Sequence, residues 1–113
     1  MLISHGEKVH VVSRREFETD VRRHFIGVVT EASESAVRVR GYVFVYDKLH
    51  AQFIKRPDLR ERLVPFVDGS VIINILPPEA DIESAYYRAG EDGRLCVTDG
   101  SSFEMCIDEF GVK

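Results

Sequence analysis

The sequence predicts an all-β fold, a small barrel or a sandwich. Three observations carry that prediction. In AVRVRGYVFVYD, residues 36–47, Val37, Val39, Gly41, Val43 and Val45 line one face, and Arg38, Arg40, Tyr42, Phe44 and Tyr46 line the other. That is a period of two with β-branched and aromatic residues, the signature of a strand. Turn residues recur at short spacing along the chain, as small all-β domains require. Finally, VPFVDGSVIINILPP (64–78) reads as two apolar strands around Asp68-Gly69, stopped by Pro77, which lacks a ladder donor.

In chain order, SRREFETDVRRHF (13–25) is ambiguous. Ser13 and Glu16 form a capping box, with Phe17, Val21 and Phe25 at helical spacing, but the same stretch also reads as a hairpin turning through Glu18–Asp20. HFIGVVTEAS (24–33) is a strand ending in a turn at Ser33-Glu34-Ser35. Gly41, midway along the next strand, marks a bend or bulge. KRPDLRERLV (55–64) is either a helical turn after Pro57 or a charged strand connection. The run 71–76 is so uniformly apolar that both its faces are expected to be covered. Ser84–Ala89 and Arg94–Thr98 pair across the Gly90–Gly93 loop, and Phe103, Met105 and Ile107 alternate with polar residues in a last strand.

A length of 113 residues fits one domain able to bury roughly two-thirds of its unfolded surface. A hydrophobic fraction of 44% with 30% charged residues opposes disorder. No apolar stretch approaches the ~18–20 residues needed to span a bilayer, and MLISHGEKVH has neither the basic region nor the apolar run of an export signal. A cytoplasmic protein without membrane contact is therefore expected. If Asp99-Gly100 is a two-residue turn, Cys96 faces Phe103 and Cys106 lies on the opposite face, so reduced thiols are expected. Charge is uneven. Residues 1–62 hold 12 Lys/Arg against 9 Asp/Glu, whereas residues 63–113 hold 3 against 10.

Several segments together resemble the Sm and Sm-like (Lsm) family. Gly6-Glu7-Lys8-Val9 matches the opening of its first strand, and His24-Phe25-Ile26-Gly27-Val28-Val29 its second. Ala36–Asp47 matches the long third strand, and Gly69–Pro77 the closing glycine-to-proline strand. The resemblance implies a strongly bent five-stranded Sm-like barrel over residues 1–78, with 79–113 a C-terminal β extension packed on the same domain. It favours the hairpin over 13–25. It also implies a homo-oligomer, ring-shaped in the family, joined by strand pairing at the Val64–Val67 and Val71–Leu76 edges. The family's uracil pocket takes an aspartate, a stacking side chain and an asparagine near the third strand, and an arginine before the last hairpin's glycine. The matching positions here are Glu34, Ala36, Val37 and Asp68, the last preceding Gly69. Alanine cannot replace base stacking, typically worth ~1–3 kcal/mol per base. Valine offers no hydrogen bond, and Asp68 repels phosphate. That pocket is expected to be degenerate.

A different stripe could carry single-stranded RNA. Arg22, Arg23 and His24 would lie beside Arg38 and Arg40, with Tyr42 and Tyr46 as stacking platforms. The same alternation also suits a half-exposed strand or a subunit interface, so the alternative is an oligomeric protein-interaction module. No nucleophile motif, phosphate loop or calcium loop occurs. His5, His10, His24 and His50 show no zinc-ligand spacing. A non-enzymatic protein without metal or cofactor is expected.

Overall fold

A computed structural model describes residues 2–13, 21–66, 69, 71–89 and 93–107. The ambiguous stretch 14–20 lies outside them, as does Asp68. The fold is all-β and antiparallel. Six strands, β1 (Lys8–Ser13), β2 (Arg23–Ala32), β3 (Ala36–Asp47), β4 (Gln52–Lys55), β5 (Arg60–Pro65) and β6 (Val71–Ile75), build a first sheet. A 3-10 turn at Ile82–Ser84 then leads into a second sheet of β7 (Tyr86–Ala89), β8 (Leu95–Thr98) and β9 (Glu104–Cys106), with β8 central.

Both β4 and β5 pair with β3, so they are two halves of one interrupted partner strand. Phe44 faces Lys55 and Gly41 faces Arg60. Between those pairs β3 uses Tyr42 and Val43, while its partner uses the longer run Arg56–Leu59. Pro57, which cannot donate to a ladder, sits in that looped-out segment. The charged run is thus strand on both sides of Pro57, not helix.

On the other flank β1 lies between β2 and β6. The two apolar segments around Gly69 therefore do not form the hairpin that Asp68-Gly69 suggested: β5 goes to β3 and β6 goes to β1. Gly69 does adopt the left-handed backbone, at φ 67°. Among the described residues no ladder joins β6 to β4 or β5, and no closed barrel forms.

Alternation along these strands makes two cores. Val9, Val11, Phe25, Val29, Val39 and Val43 fill the hollow of the bent first sheet. Ile26, Phe44 and Phe53, on its opposite face, pack under the second sheet with Leu76, Ala80, Ala85 and Val97. Each fully buried side chain of this size contributes roughly 1.5–3 kcal/mol relative to exposure.

The second sheet corrects the cysteine expectation. The β8–β9 connection is a five-residue loop, Asp99–Phe103, so Thr98 faces Glu104 and Cys96 faces Cys106. The cysteines form a disulfide, their Cα atoms 4.0 Å apart. Asp99 sets the loop. Its carboxylate accepts from the backbone N–H groups of Ser101 (3.0 Å), Ser102 (2.7 Å) and Phe103 (3.2 Å), and from the Ser102 hydroxyl. It also accepts from Asp81 N–H at 2.9 Å, tying the loop to the approach of the 3-10 turn.

The expectation of a covered last strand also fails. Ile72 is 59% exposed, Ile75 50%, and Leu63 on β5 67%. The ladder phases show which backbone groups are free. Phe66 N–H donates to Ser35 O, and Leu76 N–H to Lys8 O. Pro65/Ala36 and Ile75/Val9 are therefore non-hydrogen-bonded pairs. It follows that Glu61, Leu63 and Pro65 on β5, and Val71, Ile73 and Ile75 on β6, aim their main-chain groups outward. Among the described residues no strand pairs with either outer edge.

Candidate functional site: the seam between the two sheets

The polar groups that converge in this molecule do so where the second sheet lies on the first. Alternation in β1 sends Val9 and Val11 into the hollow and His10 to the opposite face. The β1–β2 register, with His10 facing Ile26 and Val12 facing His24, brings His24 to that same face. The two imidazoles meet edge to face, centroids 5.1 Å apart. Both are buried, His10 completely.

Tyr87 of β7 completes the cluster. Its ring stacks on Phe53 at 4.5 Å, and Phe53 stacks on His24 at 4.5 Å. Its hydroxyl lies 2.8 Å from His10 Nε2 and 2.8 Å from His24 Nδ1. The Asn74 amide nitrogen lies 3.2 Å from His10 Nδ1. With Asn74 donating, the chain runs one way: Asn74 to His10, His10 Nε2–H to the Tyr87 oxygen, and Tyr87 O–H to His24. Every bridging atom then has a partner, as buried polar groups demand.

Burial pushes the His10 imidazole down to about 4. Burial, then the charges of His10 and Arg22, push His24 down to about 3. Burial raises the Tyr87 phenol, with Arg22 opposing. All three are neutral at pH 7, the form that the hydrogen-bond chain needs. Arg22 lies over the rings of Tyr46 (5.0 Å) and Phe53 (5.5 Å), at the margin of the same cluster. The arrangement is a neutral hydrogen-bond chain between two sheets, with both imidazoles buried and Tyr87 and Asn74 half-buried. Among the described residues no group of three His, Cys, Asp or Glu is placed to hold a metal ion.

The expected RNA stripe meets this seam instead of facing solvent throughout. His24 is buried beneath Tyr87 and Phe53. Tyr42 is half-buried, with the Lys55 ammonium 4.2 Å above its ring and its hydroxyl 3.4 Å from Glu83 Oε2. Arg38 is exposed but flanked by Glu31 at 3.5 Å and Glu61 at 3.9 Å. Arg23 and Arg40 are exposed, facing Val45 and Val28 across the β2–β3 ladder. The stripe is dispersed.

Of the positions matching the family pocket, Asp68 lies outside the described residues. Val37 is buried in the hollow, so its side chain is out of reach of any base. Glu34 is exposed and lines a cavity of about 440 Å³ with Leu2, Ile3, Ser33 and Phe66. Ala36 is half-buried at the start of β3, and Gly69 is exposed.

Sequence reasoning missed His10, Asn74 and Tyr87. One signal was present: alternation puts a histidine on the non-hollow face of both β1 and β2, which is odd if that face is plain solvent. Among protein-family models, curated proteins and solved structures, none matches this chain.

Proposed function

We propose that the chain is a non-enzymatic, Sm-like assembly module that joins copies of itself by pairing the outer edge of β5 with that of β6. The observation carrying this reading is that, among the described residues, β5 and β6 each leave an outer edge unpaired, of similar length and with exposed apolar side chains: Leu63 on β5, and Ile72 and Ile75 on β6. Free strand edges are ordinarily blunted by charge or covered, and β6 has no charged residue. A second copy is the occupant that offers the complementary edge. The order of the first sheet supports the Sm-like reading, because β1 between β2 and β6 leaves the fourth and fifth strand positions at the two margins. Those are the margins that pair between subunits in the resembled family.

RNA binding through the basic stripe gains less support. Arg38 is ion-paired, Tyr42 is capped and His24 is buried.

The test is mass measurement by light scattering from about 1 to 100 µM, as micromolar affinity corresponds to about 8 kcal/mol of binding free energy. The wild type is expected to form multimers, and Leu63→Lys and Ile72→Lys are each expected to be monomeric and folded. Mixing the two variants should restore a dimer and nothing larger, since each retains one intact edge. A monomeric wild type across this range refutes the proposal.

A further inference from the structure

We propose that the second sheet is a pH-released cover, latched on the first sheet by the Tyr87 hydroxyl held between His10 and His24. This inference does not rest on edge-to-edge assembly.

The latch fails once both imidazoles are protonated. One hydroxyl serves both rings, accepting from His10 Nε2 and donating to His24 Nδ1 across two 2.8 Å contacts. With both rings charged, His10 Nε2 and His24 Nδ1 are both donors, so the Tyr87 O–H loses its acceptor. A proton on His10 puts a second cation within 5.1 Å of the first, in a buried site. The groups around the pair offer no counter-charge. Phe53 from β4, the Asn74 amide from β6 and Tyr87 from β7 touch the histidines, Phe44 and Tyr46 from β3 touch those rings, and Arg22 adds positive charge. Glu83, which reaches this face of the sheet, is engaged by the Tyr42 hydroxyl.

The cover is built to leave as a unit. The Cys96–Cys106 bridge, the Arg88–Glu104 pair at 2.6 Å and the Asp99-capped loop all lie within it. The Asp99 carboxylate also ties it to its tether at Asp81 N–H, and the tether is held in turn to the first sheet. Lys8 Nζ donates to Pro78 O (2.7 Å) and Ala80 O (2.6 Å), and Lys55 Nζ to Glu83 O (2.6 Å). Release would uncover a cationic, aromatic face bearing Arg22, His10, His24, Phe44 and Phe53.

The sign follows from linkage. Both imidazoles bind protons more weakly when covered, so the covered form dominates above about pH 6.5 and is lost as pH falls. From pH 7 to 5 the ratio of released to covered molecules should rise roughly 10²–10³-fold, in a transition taking up close to two protons.

The experiment is aromatic NMR on the whole chain at pH 7.5 and stepwise down to pH 5.0. Cross-ring NOEs from Tyr87 to Phe53 and His24 should fade with a two-proton midpoint, while the Val9–Gly27 and Tyr87–Val97 ladder NOEs persist. In Tyr87→Phe, which keeps the ring and removes the latch, the midpoint should move to higher pH by at least half a unit. Persistence of the seam NOEs at pH 5.0, their loss together with the first-sheet ladder, or an unmoved midpoint in Tyr87→Phe would each overturn the proposal.

Discussion

Gly27 and Gly41 stand directly opposite each other in the β2–β3 ladder, and neither has room for a side chain. A Cβ on Gly41 would lie 2.0 Å from Ile26 O and 2.5 Å from Gly27 Cα, and one on Gly27 would lie 2.4 Å from Arg40 O. The two longest strands thus press together at this point. Beyond this point β3 exchanges β5 for β4 as its partner.

Substituting that pair should be costly because backbone, unlike a side chain, cannot swing aside. Gly41→Ala is expected to lower stability by about 2–3 kcal/mol in urea denaturation. Gly69→Ala, with open space around it and only its positive φ to strain, should cost about 1–2 kcal/mol. Equal losses would show that the close approach does not constrain the fold.

Stability should fall with acid in two separate limbs. His10 and His24 have folded values below their unfolded ones. Their contribution is complete above about pH 6.5 and is lost as pH falls toward 4, roughly 3 kcal/mol for His10 alone. Asp99 supplies the lower limb. The Ser102 hydroxyl first, then the Ser101, Asp81 and Ser102 amides, hold its carboxyl well below the usual range, against an opposing effect of burial. Its contribution is present above about pH 4 and disappears as pH falls below that. Thermal melts of wild type and Asp99→Asn should therefore differ at pH 7 and draw steadily closer as pH falls below about 4. Parallel curves down to pH 2 would remove Asp99 from this role.

The disulfide closes a short loop, with a sequence separation of 10 between Cys96 and Cys106. For that length chain entropy gives about 2–3 kcal/mol of stabilisation. Thiol titration of unreduced, denatured protein should find no free cysteine, and reduction should lower the denaturation midpoint accordingly. Two free thiols before reduction would contradict the pairing. The contribution applies in an oxidising compartment, since a glutathione-buffered one keeps such pairs reduced.

Local pattern made the strands legible. Ala36–Asp47 was readable to the residue, because β-branched and aromatic alternation marks both faces. Partners were less legible. Asp68-Gly69 has hairpin chemistry, yet its flanking strands go to opposite margins, because β6 finds a better apolar neighbour in Val9 and Val11 than in charged β5. The cysteine register was misread for a similar reason. Asp99 looked like the first residue of a tight turn, but its carboxylate gathers three following amides and lengthens the loop. The seam was invisible because alternation assigns His24 and Tyr42 to a face without saying what covers it.

The pairing of β1 with β6 also imposes an order in time. A ribosome delivers β1 early, and β2 and β3 can zip onto it as they emerge, each next to its neighbour in sequence. The other flank of β1 must wait for partners about 60 residues downstream, with Ser13 meeting Val71 and Val9 meeting Ile75. Such long closures are slow to form. Tyr87 comes later still, and it needs His10 and His24 already side by side before its hydroxyl has anywhere to go. The contacts that join the two sheets are therefore made late in synthesis, and until then a nascent chain displays its aromatic face to whatever waits at the exit tunnel.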